Sequence, residues 1–236
     1  MGVEQGSYGQ YCPVAMAAEV FCTRWTALVM REILCGSTRF NDIRRGVPRM
    51  SPTLLSKRLK ELQRAGIIHA RRAKPAGAIE YVPTASGEDL RTLVMSLGIW
   101  GQRWVESKLS LKNLDPSLLM WDMRRFLEPT PLPGKLCTIH FEYPELDGAR
   151  RNWWLVIDKG FIDLCLIDPG HEVDLTVTGS LRAMTAIWMG VSTVQKEMEA
   201  GALALAGDPK IARSMQQWLG LSPFAKEKSR IGATVA

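Results

Sequence analysis

A chain of 236 residues, 46% of them apolar, is somewhat long for one domain and carries enough apolar material for two real cores. No run of about 18 uncharged apolar residues occurs, which excludes a membrane-spanning helix, and residues 1–6 lack the basic and apolar regions of a leader, so a cytoplasmic protein is expected. The net charge of +6 hides a division: residues 1–112 carry 17 basic and 9 acidic groups, a net of +8, whereas residues 113–236 carry 13 and 15, a net of −2.

In chain order, Cys12-Pro13 stands ahead of a first helix. The positive end of that helix can activate a thiol beside it, which would make Cys12 a sensor; equally, Cys12 can be a small apolar residue buried in a dimer interface. Cys22 and Cys35 have apolar neighbours on helix faces and are expected in the core. With Cys137 and Cys165 the cysteines number five, an odd count without CxxC spacing, so neither a disulfide framework nor a structural metal site is expected.

Phe40 to Arg44 offers a short helix with Phe40 and Ile43 inward and Arg44 outward, and residues 46–50 break it with a turn. Ser51-Pro52 is a helix start, Ser to cap free amides and Pro at a position that loses no hydrogen bond; the helix should run to about Ala65 and stop at Gly66. Placed at roughly 100° intervals, Leu55, Leu59 and Leu62 share one narrow face, while Thr53, Ser56, Lys57, Lys60 and Arg64 share the opposite one. Arg58 lies off that polar stripe and can instead pair with Glu61. Residues 66–71 and 78–83 read as strands about a turn at 74–77, a hairpin whose Arg71, Arg72 and Lys74 can reach a groove or the phosphate backbone. Between Arg39 and Lys74 eleven Lys and Arg face only Asp42 and Glu61. Such charge neutralises phosphates and a helix of this kind fits the major groove, so double-stranded DNA is the expected partner. From about Glu88 to Lys108 a long helix follows, with Leu90, Leu93, Val94, Leu97, Gly101 and Trp104 at helical spacing. Gly98 and Gly101 permit close approach of a partner helix, and a homodimer is expected because paired recognition helices must address half-sites about one DNA turn apart.

Residues from about Tyr11 to Trp104 resemble the HxlR family of winged helix-turn-helix regulators. The matching motifs are Cys12-Pro13, Arg24-Trp25, Arg31-Glu32, Arg39-Phe40-Asn41, Ser51 to Leu55, Arg58 to Leu62, Ala65-Gly66-Ile67, Glu80-Tyr81 and Thr84 to Gly87. The resemblance implies a homodimer that binds operators, with Thr53, Ser56, Lys57 and Arg58 reading bases and Arg44, Arg71 and Arg72 on phosphate; Lys60 joins them from the polar face. It also implies that a cysteine near position 12 can sense oxidants or aldehydes.

After a linker at 110–116, Asp115-Pro116 starts a helix carrying Leu118, Leu119, Trp121, Met123 and Phe126. Strands are expected at 135–143, 150–158, 161–167 and 173–178, then helices at 180–189, 193–200 and 208–219 with a short strand at 202–206. Alternation of Trp154 and Val156, then of Leu164 and Leu166, suggests one buried sheet face. The expected fold class is therefore α+β, an N-terminal winged helix-turn-helix domain at 1–110 followed by a sheet-and-helix domain at 115–222 and a flexible tail at 223–236. The order of elements, with the runs Val173 to Val177 and Gly201 to Asp208, resembles the sterol carrier protein type-2 fold. That resemblance implies an apolar tunnel for a hydrophobic small molecule, for which Trp121, Trp154, Met184 and Trp188 are candidate lining residues; the alternative is that they fill the core.

His69, His140 and His171 are scattered, Asp158, Asp163, Asp168 and Asp174 fall mostly at strand ends and turns, and no glycine loop cradles a phosphate. No catalytic constellation, cofactor or metal is expected. The sequence points to a DNA-binding regulator controlled by a hydrophobic effector in its C-terminal domain, or else triggered at Cys12 with a C-terminal domain that is only structural.

Overall fold

A computed structural model describes residues 7–73, 77–105 and 114–231. Lys74 at the hairpin turn and linker residues 110–113 lie outside the described residues. The chain divides into two compact units, Met1–Leu97 and Gly98–Ala236.

The first unit holds α1 (Pro13–Phe21), α2 (Thr26–Leu34), α3 (Phe40–Gly46), α4 (Pro52–Arg64), β1 (Ile68–Arg72), β2 (Ile79–Pro83) and the start of α5 (Ala85–Trp104). α4 forms where its end signals place it. Ser51 accepts a hydrogen bond from the Leu54 amide, Pro52 occupies the first turn, and Gly66 ends the helix with φ +69°, which a side chain would resist. Leu55, Leu59 and Leu62 are buried against Val29, Met30 and Ile33 of α2, Ile43 of α3 and Ile68 of β1. Burial of each such side chain contributes about 1.5–3 kcal/mol. α2 begins after Trp25, which itself takes a left-handed φ of 78°. β1 and β2 pair antiparallel with Arg71 opposite Glu80, and the Tyr81 amide donates to the Thr38 carbonyl, tying the hairpin to the segment before α3.

Gly46 is more than a turn residue. It closes α3 directly over the Glu32 carboxylate, which is fully buried and bonded to Arg31 and Ser37, so a Cβ there would overlap the carboxylate. Arg31 also donates to the Gly46 carbonyl at 3.0 Å.

The second unit holds the end of α5, α6 (Pro116–Phe126), β3 (Cys137–Glu142), a 3₁₀ turn (Gly148–Arg150), β4 (Asn152–Asp158), β5 (Phe161–Cys165), β6 (Leu175–Gly179), α7 (Leu181–Trp188), α8 (Val194–Glu199), β7 (Leu203–Gly207), α9 (Pro209–Arg213) and α10 (Met215–Trp218). The expected helix at 208–219 is thus two short helices meeting at Ser214. Sheet order is β5-β4-β3-β6-β7; β3 and β6 run parallel and every other pair is antiparallel. The Lys159-Gly160 hairpin turn has φ of 49° and 83°, the mirror-image twist that two-residue hairpins favour. Side chains at 137, 139 and 141 of β3, 153, 155 and 157 of β4, and 175 and 177 of β6 make the inner face, packed against α6, α7, α9 and α10 residues. The expected alternation on β4 was therefore out by one residue: Trp153, Leu155 and Ile157 are buried, and Trp154 and Val156 look out from the other face.

Two boundaries differ from expectation. The units divide inside α5 at residue 97, not near 110. The tail is not loose over 224–227, because Phe224 packs on Gly98, Ala225 on Gly190, and Glu227 accepts from Arg103 at 2.7 Å. Phe224 thereby occupies the approach at Gly98 that was expected for a partner helix.

Gly46→Ala should cost the first unit about 3 kcal/mol through overpacking against Glu32. A lowered denaturation midpoint for that unit, followed by the fluorescence of Trp25, is the check.

Candidate nucleic-acid interface

α4 presents two chemically opposed sides. Leu55, Leu59 and Leu62 anchor it, and Thr53, Ser56, Lys57 and Lys60 stand exposed away from that core. Arg44 is exposed at the end of α3, ahead of the turn that leads into α4. A rod with hydroxyls and cations outward and leucines inward can enter a major groove while its fold stays intact.

Arg58 does not belong to that surface. It is only 9% exposed and forms an ion pair with Glu61 three residues on, while its Nε has no partner among the described residues. The sequence placed Arg58 among the base-reading residues; here its guanidinium is folded inward against its own helix and held at Glu61.

The hairpin separates its two arginines. Side chains alternate across a strand, so Ile68, Ala70 and Arg72 share one face and His69 and Arg71 the other. Arg71 donates to Glu80 across the ladder at 3.1 Å. Both arginines are exposed, but they point to opposite sides of the ribbon and cannot meet one phosphate row together.

The remaining candidates fall elsewhere. Cys12 is exposed at the start of α1, and Cys22 is exposed and not in the core, while Cys35 is half-buried. Cys137 is buried, its thiol pushed up to about 12 by burial and then by the nearby charge of Asp174, which leaves it protonated and unreactive. Met184 and Trp188 lie in the core of the second unit. Trp121 is buried with the guanidinium carbons of Arg124 and Arg125 4.9 and 5.6 Å from its ring centroid. Trp154 is on the opposite sheet face, stacked on His140 at 4.9 Å, and His140 bonds Asn152 at 2.9 Å. These four side chains do not converge on one site. His69 and His171 are exposed, and among the described residues no cluster of three or more His, Cys, Asp or Glu could hold a metal. No helix of the described residues is long and apolar enough to cross a membrane.

One feature escaped sequence reasoning. α1, α2 and α5 enclose an apolar groove of about 740 Å³ walled by Val14, Phe21, Trp25, Leu28, Leu93 and Leu97. Leu93 and Leu97 were expected to face a partner; α1's contribution was not foreseen, since its residues read simply as a first helix.

A three-helix core with a polar-faced helix at its surface and a β-hairpin behind it defines a winged helix-turn-helix DNA-binding regulator. Residues 20–109 match the family described as HxlR-like helix-turn-helix. The HTH-type transcriptional regulator YvaP of Bacillus subtilis (strain 168), itself uncharacterised, is 33% identical over 100 residues, 41% of this chain and 92% of its own length. YodB of the same organism, also an HTH-type transcriptional regulator, is 28% identical over 98 residues, 40% of this chain and 87% of its own. Among solved structures, the redox regulator HypR in its reduced form aligns at 28% identity over 38% of this chain and 90% of its own, with a TM-score of 0.36. The chain belongs to the HxlR family of helix-turn-helix transcriptional regulators.

Proposed function

We propose that this protein is a homodimeric transcriptional regulator that reads operator DNA with α4 and carries a hydrophobic effector in a sterol-carrier-like C-terminal domain. The observation that carries the DNA reading is the division of α4 into a buried leucine face and an exposed face of Thr53, Ser56, Lys57 and Lys60. Thr53, Ser56 and Lys57 near the helix start suit base edges; Lys60, Arg44 and the unpaired face of the hairpin at Arg72 suit phosphates. Arg71, held by Glu80, contributes less.

Dimerisation is supported by the groove between α1, α2 and α5. Leu28, Leu93 and Leu97 are 42%, 47% and 51% exposed, an apolar continuity that a lone chain in water leaves uncovered. A second copy covering it would pair two α4 helices for two half-sites.

The effector reading rests on topology and on thioethers. A helix, a three-strand antiparallel meander, a crossover to a strand parallel with the first, and helices over one face make the order expected of a sterol-carrier-like domain. A guest in this core would be accommodated among its buried side chains. Met120, Met123, Met184 and Met215, all fully buried there, are the residues best able to repack.

Lys57→Ala and Ser56→Ala should weaken operator binding roughly tenfold more than binding to random DNA, whereas Arg72→Ala should weaken both alike and flatten the salt dependence. Fluorescence anisotropy on both DNAs at several salt concentrations checks this; equal losses for all three would remove α4 from base reading. Leu93→Glu should give monomers by light scattering and lower operator affinity. Native mass spectrometry of the full chain should show a dimer carrying a stoichiometric apolar compound; a dimer of bare mass would favour the exposed Cys12 as the trigger instead.

A further inference from the structure

The sheet of the second unit has two edges, β5 and β7, and they are finished differently. Side chains close the edge at β5: Arg124 donates to the Ile162 carbonyl at 3.0 Å, and the Asp163 carboxylate accepts from the Leu164 amide at 2.9 Å. The edge at β7 is open. At the two ends of the β6–β7 ladder the Ser180 amide donates to the Ala202 carbonyl and the Asp208 amide to the Asp174 carbonyl. Even-numbered residues of β7 therefore turn their backbone groups to β6, and the odd-numbered Leu203 and Leu205 turn theirs outward. Among the described residues nothing bonds them on that side.

The residues of this edge say what it accepts. Gly201 to Gly207 carries neither a charge nor a proline, two devices that keep another strand off a free edge. Charge lies at its ends instead, and with opposite sign. Before the strand Glu197 and Glu199 outnumber Lys196; after it Lys210 and Arg213 outnumber Asp208. Glu199, Lys210 and Arg213 are exposed. An antiparallel second copy brings the acidic end of one strand to the basic end of the other, whereas a parallel copy sets like ends together.

We propose that β7 pairs antiparallel with β7 of a second copy about a two-fold axis at Ala204, joining the two five-stranded sheets edge to edge. In this register Leu203 of each chain exchanges both backbone bonds with Leu205 of the other, which uses all the open groups of the two leucines. Ala204 faces Ala204, and Ala202 stands opposite Ala206, small side chains that let the strands close up. With β5 closed, each sheet offers one edge, so the pairing stops at two copies and does not propagate. The interface is separate from the groove of α1, α2 and α5 and is small, so it adds to the homodimer proposed above without replacing the groove.

Oxidative crosslinking of the full-length chain tests the register, in a background carrying Cys12→Ser and Cys22→Ser to remove two exposed thiols. Residues opposed in a non-hydrogen-bonded pair have Cα atoms about 4.5 Å apart, within disulfide reach. Ala204→Cys should therefore run at twice the chain mass on a non-reducing gel. Ala202→Cys and Ala206→Cys should each crosslink roughly tenfold more slowly alone, because four residues separate each from its own copy, and at a rate comparable to Ala204→Cys when mixed. Equal crosslinking by all three single variants, or crosslinking by none, would overturn the pairing. Oxidation traps even a brief encounter, so the same experiment reads out in the Leu93→Glu chain, and failure here is separable from failure of the groove as a dimer interface.

Discussion

The packing of Leu55, Leu59 and Leu62 into the α2–α3–β1 core is the constraint on which the DNA-facing half depends. Those leucines settle the rotation of α4 about its own axis. Once they are buried, Thr53, Ser56, Lys57 and Lys60 have nowhere to go but outward. A change in the leucine stripe would therefore re-aim the polar face even if every polar residue were kept.

Polar groups inside the same core refine the arrangement. Glu32, fully buried, is held by Arg31 and Ser37 and roofed by Gly46, so α2 and α3 can approach only because position 46 has no side chain. Arg58 is the complementary case: charge drawn inward to Glu61 and thereby lost to the DNA-facing surface. Counting cations along the sequence overestimates the binding surface for this reason, since ion pairs such as Arg58–Glu61 and Arg71–Glu80 hold some of them in place.

The second unit follows a different logic. Its sheet buries one face under helices and leaves Trp154, His140 and Asn152 on the other. The aromatic and thioether content that suggests a lipophilic guest is divided between a packed core, a buried Trp121 beside two arginines and an outer sheet face. Composition alone could not make that division, because a side chain that lines a cavity and one that fills a core are chemically the same.

Local signals determined much by themselves: the start and stop of α4, its leucine and polar faces and the hairpin rest on spacing within about fifteen residues, and the family and the order of elements in the second unit rest on the succession of such signals along the chain. The tertiary structure decided the rest. On β4 the run Trp153 to Ile157 is apolar at every position, so a period of two cannot select a face, and only pairing with β3 and β5 did so. Gly46 read as a turn until Glu32, fourteen residues earlier, was seen beneath it, and α1 read as a plain helix until α5 completed the groove beside it. Periodicity reports which side of an element is apolar. What that side meets depends on residues distant in the chain, and that is settled only when the whole chain packs.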